Sequence, residues 1–242
     1  VYAGGNFTLS GTTPVSNVAR WTGTAWEQVG AGLNGPVWMM ATAPDGSIYA
    51  AGEFTASGST TVNYLARFDG TAWTSVGGGT DGIVYSLAFD ASGGLYVGGR
   101  FTTAGATAAN NMAYWNGTAW AALGTGLSGA EAAVIAVAPA TYAGGATGVY
   151  AGGTCTLAGG QAANLIAVWD AGLAQWSPLE QATVNGVNAA VTHMAFEAGS
   201  ETLYTGGAFT SAGGQAAGFV AGWTAGAWSY LNGGVGGPTS SM

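Results

Sequence analysis

Apolar residues in this chain come in short runs, broken every few positions by Gly, Asp, Asn or Thr, and no window sustains the 3.6-residue period of a helix. Short β-rich runs between turn residues predict strands. The runs also repeat. Tyr2, Tyr49, Tyr96, Tyr150 and Tyr204 each lead into a small residue and glycine, as VYAGG, IYAAG, LYVGG, VYAGG and LYTGG, at spacings of 47, 47, 54 and 54. An aromatic ring follows each tyrosine by 19 residues: Trp21, Phe68, Trp115, Trp169 and Trp223. A second slot holds Trp26, Trp73, Trp120, Trp176 and Trp228, so nine of the ten tryptophans fill two repeating positions and only Trp38 stands outside them.

Each unit reads as four strands. The first is apolar: Val37-Trp38-Met39-Met40, Val84-Tyr85-Ser86-Leu87, Val134-Ile135-Ala136-Val137 and Val191-Thr192-His193-Met194. The second contains the tyrosine and ends at the glycines, the third ends at the first aromatic slot, and the fourth begins at the second tryptophan. Thr22-Gly23, Asp69-Gly70 and Asn116-Gly117 join the third and fourth strands and predict type I′ turns. Pro44-Asp45-Gly46 marks a turn between first and second strands. Insertions near Ala140 to Gly148, at Ala171-Gly172 and between Trp176 and Val191 are expected to enlarge turns. Four strands in units of this length predict an all-β fold, a five-bladed β-propeller of four-stranded blades forming one domain over residues 1–242. The alternative is a five-repeat segment of a larger propeller. Gly234 to Met242 aligns with Gly32 to Met40, so Thr239 to Met242 is expected to supply the inner strand missing beside Val1 to Gly4.

The glycine pair followed by two aromatic slots resembles kelch-type propeller repeats. The stretch LYVGGRFTTAG with NNMAYWNGTAWAALGTGL resembles the Gly-rich propeller repeats of secreted bacterial proteins and fungal cell-surface proteins. The resemblance implies a propeller that serves binding or scaffolding, and it departs from kelch in showing five repeats where kelch rings have six or seven.

Composition narrows the function classes. Charged residues are 6% of the chain, lysine is absent, and eleven acids against three arginines give a net charge of −8. Nucleic acid and anionic membrane surfaces both want a basic face, so neither is an expected partner. The most apolar stretch, around Ala132 to Val149, is broken by Pro139, Gly144, Gly145 and Gly148, so no membrane insertion is expected. No signal peptide is visible and the chain opens at Val1 inside a strand, which points to a processed protein or a piece of a longer one. The uncharged, Thr/Ser/Asn/Gly-rich surface resembles secreted proteins, so the expected location is extracellular, on a cell or virion surface.

Candidate chemistry is sparse. Tryptophans that recur at one register are core rings. Cys155 stands where Phe7, Phe54, Phe101 and Phe209 stand in other units, which predicts a buried, inert thiol. The single histidine, His193, lacks metal-ligand partners and reads as packed or channel-lining. No catalytic residues, metal or cofactor are assigned. Asn6 and Asn116 fit the glycosylation acceptor pattern, although Asn116 is already explained by its turn. The slot after the glycines varies: Asn6, Glu53, Arg100, Thr154 and Ala208. Asn6, Glu53, Arg100 and Thr154 are the candidate partner-binding residues, against the plainer reading of a Glu53–Arg100 ion pair between neighbouring blades. The favoured function is a non-enzymatic extracellular scaffold or adhesion domain that binds a protein or glycan on a surface or in an assembly. A lectin-like glycan-binding propeller with one shallow pocket per blade is the alternative, and a secreted enzyme the third.

Overall fold

The computed structural model describes residues 1–240. Hydrogen bonding gathers the longer strands into five main antiparallel sheets in chain order, with six small sheets of two or three short strands beside them. The second sheet runs Val37–Thr42, Ile48–Gly52, Leu65–Phe68 and Trp73–Ser75. The third runs Val84–Phe89, Leu95–Gly99, Met112–Trp115 and Trp120–Ala122. The fourth, Val134–Thr141, Thr147–Gly153, Ile166–Asp170 and Gln175–Pro178, and the fifth, Val191–Glu197, Thr202–Gly207, Val220–Thr224 and Ala227–Ser229, repeat the order. The first sheet has three strands, Tyr2–Gly4, Val18–Trp21 and Trp26–Gln28. Inner strands of the four complete sheets surround one cavity, and each apolar core is shared by two consecutive sheets. Radial four-stranded sheets about an axial cavity make a β-propeller. The described residues contain no helix long and apolar enough to cross a membrane.

The sheets are joined by their aromatic slots. The two rings of each unit face each other across the third and outer strands with centroids 5.1–5.5 Å apart. The backbone of the preceding sheet lies on this pair. Trp73 Nε1 donates to the Val29 carbonyl at 2.9 Å, Trp120 Nε1 to Gly77 at 3.1 Å and Trp176 Nε1 to Leu123 at 2.7 Å. The approach is close enough to require glycine: a Cβ on Gly77, whose φ is +56°, would stand 2.4 Å from the Trp115 ring. Trp73, Trp176 and Trp228 are buried, whereas Trp120 and Trp26 are only half-buried, which corrects the expectation of five buried rings. Trp120 lies under Gly77-Gly78-Gly79, which bring no side chains to cover its rim. At Trp26 the counterpart of Gly77 at the fifth sheet's exit is Asn232, which shares the left-handed φ at +57°.

Three other expectations change. In the first three units the hairpins between third and outer strands are four-residue loops, since Trp21 pairs with Trp26, Phe68 with Trp73 and Trp115 with Trp120. In these three only the glycine has positive φ, +100° at Gly70, so the turn is not type I′; in the fifth unit Thr224 pairs with Ala227, and Ala225 and Gly226 both have positive φ, the type I′ pattern. Asp69 Oδ1 accepts the N–H groups of Thr71 and Ala72 at 2.8 and 3.0 Å, and Asn116 does the same for Thr118 and Ala119; the side chain closes the loop. The insertion near Ala140 extends the strands themselves, with pairing continued to Thr141 and Thr147. The insertion after Trp176 makes a hairpin of its own, Glu180–Gln181 with Val184–Asn185.

Between second and third strands, where a plain loop was expected, every unit folds a two-stranded hairpin such as Ala56–Ser57 with Thr60–Thr61. The residue after it, just before the third strand, has left-handed φ in all five units: Asn17 +62°, Tyr64 +65°, Asn111 +62°, Leu165 +72° and Phe219 +70°. Its N–H and C=O are both committed, as when Tyr64 N donates to Phe54 O at 2.8 Å and Tyr64 O accepts from Gly52 N at 3.1 Å. Asn17 and Asn111 add a side-chain bond from Nδ2 to the Leu33 and Leu127 carbonyls, each at 2.8 Å.

The described part of the C-terminal segment is bonded to the fifth sheet, and the first sheet keeps three strands, so the expected pairing beside Val1 to Gly4 is not formed among the described residues. Thr239 N donates to Gly207 O at 3.2 Å, the counterpart of Val37 N on Gly5 O at 3.1 Å, and Thr192 Oγ1 donates to the Thr239 carbonyl at 3.0 Å. Ser241 and Met242, to which the expected strand extends, lie outside the described residues.

Three substitutions test the stability of this arrangement. Trp73→Ala is expected to cost about 3–5 kcal/mol in urea unfolding followed by far-UV circular dichroism. Gly77→Ala, forcing a Cβ into the next sheet's ring at positive φ, is expected to cost about 1–3 kcal/mol in the same assay. On the turn face, hydrogen bonds from Ser47, joined by the Arg67 guanidinium at 2.9 Å, lower the Asp45 carboxyl to about 2. The folded state therefore binds this proton less readily than the unfolded chain does. Its stabilisation is full above about pH 4 and is lost as pH falls towards 2. Asp45→Asn should flatten the melting temperature's dependence on pH in that window; a steepness equal to that of the unsubstituted protein would contradict it.

Candidate functional site

A repeated junction lies where each inner strand begins, close in sequence to the bulged residue that lines the axial cavity. As the second strand ends at its glycine, the following residue's N–H donates to the residue just before the inner strand. Glu53 N bonds Pro36 O at 2.9 Å, Arg100 N bonds Ile83 O at 2.8 Å, Thr154 N bonds Ala133 O at 3.0 Å and Ala208 N bonds Ala190 O at 3.0 Å. The backbone is the same in these four units and the side chain differs in each. Asn6, Glu53, Arg100 and Ala208 are exposed, and Thr154 is partly covered.

The expected ion pair does not form. Arg100 Nη2 meets Glu131 at 2.6 Å, and Glu53 Oε1 accepts the Trp38 indole N–H at 3.2 Å. The fourth unit's longer approach to its inner strand carries Glu131 to Arg100, and Trp38 lies nearer to Glu53 than the next blade does. Thr154 Oγ1 donates to the Glu131 carbonyl at 2.8 Å and accepts from Ala133 N at 3.0 Å, which ties the same segment down. Arg100, Thr154 and Glu131 thus form one cluster, Glu53 and Trp38 a second, and Asn6 stands apart from both.

Sequence reasoning missed the residues that hold this rim in shape. Asn34 Oδ1 accepts Thr55 N and Ala56 N at 2.8 and 2.9 Å, Asp81 Oδ1 accepts Thr102 N and Thr103 N, each at 2.8 Å, and Asn188 Oδ1 accepts Thr210 N and Ser211 N at 2.9 and 3.0 Å. Each clamps the small hairpin of its unit. The signal was present, because Asn34, Asp81 and Asn188 all stand three residues before the valine that opens an inner strand. Burial raises the Asp81 carboxyl, but the Thr102 and Thr103 hydrogen bonds more than offset this and leave it below the usual carboxylate range.

Every inner strand then carries an irregularity at one position. Register shifts fall between Val37 and Met39, Val84 and Ser86, Val134 and Ala136, and Val191 and His193. The skipped residues are Trp38, Tyr85, Ile135 and Thr192. A bulge re-aims its side chain out of the ladder, and all four bulged residues line the cavity together with Ser240. The cavity measures about 570 Å³. Among the described residues no acid or arginine lines it; its titratable side chains are Tyr85 and His193, and burial lowers the pKa of His193, whose Nδ1 lies 3.0 Å from Thr192 Oγ1. His193 is channel-lining, as its strand position indicated.

The chemically versatile groups are otherwise engaged. Arg20 and Arg67 pair with Glu27 and Asp45 at 3.3 and 2.9 Å. Cys155 is buried in the core between the third and fourth sheets, and burial pushes its thiol up to about 12. Among the described residues no three His, Cys, Asp or Glu side chains come together as a metal site.

Comparison with known proteins agrees with this architecture. Residues 43–71 match a family described as a domain of unknown function (DUF5122) beta-propeller. The matched stretch runs from the end of one inner strand through the second and third strands of the second sheet. It supports a propeller repeat, without pointing to kelch in particular. No curated protein matches the chain.

The burial of Cys155 has a direct check. Native protein at pH 8 should react with a thiol reagent orders of magnitude more slowly than protein in guanidinium, which should release one equivalent. Equal rates would contradict the buried assignment.

Proposed function

We propose that this β-propeller is a non-enzymatic interaction scaffold, closed as a single five-bladed ring, that works outside the cell by attaching to a protein or glycan surface. The observation that carries the reading is the junction at the cavity mouth. One backbone arrangement recurs around it, while Glu53, Arg100, Thr154 and Ala208 give it a different side chain in each unit. In a repeat protein, positions alike in every unit build the frame, and exposed positions that differ on the same frame are free to recognise a partner. Thr239, bonded as Val37 is, supports closure of the ring. Support for a non-enzymatic role comes from the occupied state of the reactive groups: three arginines held by carboxylates and a thiol held protonated in the core. A surface with few charges and no lysine suits an extracellular setting, and the acid excess favours partners that are neutral or basic.

The test has two readouts. In its source, the protein should be found in the medium or be removed from intact cells by external protease. Purified protein should attach to the surface of those cells. Asn6→Ala with Arg100→Ala should weaken attachment at least fivefold, while Leu173→Ser, at an exposed outer turn, should leave it unchanged. Recovery only from the cell interior, or attachment indifferent to the double variant, would defeat the proposal.

A further inference from the structure

Trp38 is the tryptophan that the architecture does not use. The other nine sit in slots that join sheets; Trp38 sits on a bulge at the cavity mouth with 49% of its surface exposed, and Met39 beside it is 40% exposed. An exposed indole normally samples several rotamers. This one is held by the hydrogen bond from Nε1 to Glu53 Oε1 at 3.2 Å, so its face is fixed and open. The Tyr85, Thr192 and Ser240 hydroxyls belong to the same cavity lining. Inner strands lie at the sheet edges, so one side of each is not paired to a strand and offers backbone donors and acceptors to the cavity.

These walls select a ligand by chemistry. Among the described residues the lining holds neither guanidinium nor carboxylate, and the one carboxylate at the mouth, Glu53, is engaged by the Trp38 N–H, so an anion or a cation entering the cavity would lose hydration without gaining a free counter-charge. A purely apolar ligand would leave hydroxyls and strand-edge amides unsatisfied. The fitting ligand has one apolar face for the indole and a periphery of neutral hydroxyls, which describes a neutral sugar ring. A cavity of about 570 Å³ lies within the range of small-ligand sites and accommodates a short saccharide. We propose that the mouth of the axial cavity is a single neutral-saccharide site, with Trp38 as the stacking platform and Glu53 as the residue that positions it. The inference rests on the reading of this face as the attachment surface, and it replaces one shallow pocket per blade with one site on the axis.

The experiment titrates the full chain with cellobiose, lactose, chitobiose and mannobiose, each to 20 mM, by calorimetry and tryptophan fluorescence. At least one should bind with a stoichiometry of one per chain. Trp38→Ala should weaken that binding at least tenfold, and Trp38→Phe should weaken it less. Glu53→Ala should weaken it severalfold, while Glu53→Gln, which keeps an acceptor oxygen, should restore it. Trp21→Ala, at an exposed ring of the first sheet, should leave it unchanged. Melting curves show whether each variant is folded, and half-exposed Trp38 is not needed for folding. The proposal is overturned if no disaccharide binds, if several bind per chain, or if Trp38→Ala makes no difference. Failure here with attachment still lost in the Asn6/Arg100 double variant would remove the saccharide site and keep the face. Saccharide binding at Trp38 with attachment indifferent to the double variant would do the reverse.

Discussion

An indole N–H that reaches over to a backbone carbonyl of the preceding sheet, made by Trp73, Trp120 and Trp176, is the contact on which the joints among the first four sheets depend. The bond is directional, so it fixes the angle at which one sheet meets the next, and the ring that carries it buries roughly 150–250 Å² of apolar surface. Few charges are present to hold the sheets together, and the ion pairs that exist are exposed and contribute little. Shape therefore has to serve. A large ring on one side and a bare backbone on the other let two sheets approach until the carbonyl meets the indole. This is why glycine and tryptophan, opposite extremes of size, are both abundant in the chain.

The same division of labour explains the cavity mouth. Clamps such as Asn34 and Asp81 satisfy the hairpin amides, so the adjoining Glu53 and Arg100 side chains are not needed to hold the hairpins. The bulge in each inner strand does likewise for Trp38, Tyr85, Ile135 and Thr192, which are turned out of the ladder. Recognition residues can then vary without disturbing the joints, because the joints lie along the outer strands and the variation lies near the axis.

Most of the architecture could be read from the chain, since a repeated ring at a fixed offset has few explanations other than a repeated packing contact. Strand order, the inner position of the apolar runs and the burial of Cys155 followed from alignment of one unit on another. What escaped was local. Asp69-Gly70 looks the same in a two-residue and a four-residue hairpin, and only the pairing of Phe68 with Trp73 distinguishes them. The small hairpins after the glycines use strands of two residues, below the length at which alternation can be seen. At the candidate site, Glu53 was recognised as a variable exposed position, but its partner was not, because Trp38 and Arg100 are both compatible with a carboxylate and their distances are set by the bulge. The cavity joins residues of four inner strands and the C-terminal segment, which nothing in their spacing along the chain reveals.

The left-handed residue that precedes each third strand gives the molecule a built-in comparison. Its backbone is locked from both sides, so the conformation is imposed whatever side chain stands there. Asparagine tolerates it readily and, at Asn17 and Asn111, gains a bond to a neighbouring carbonyl; tyrosine, leucine and phenylalanine in that region are strained by an amount on the order of 1–3 kcal/mol each. Two repeats have thus found the relaxed solution to a problem that the other three, at Tyr64, Leu165 and Phe219, solve under tension. A consensus drawn from within this one chain would already specify a hardier version of it.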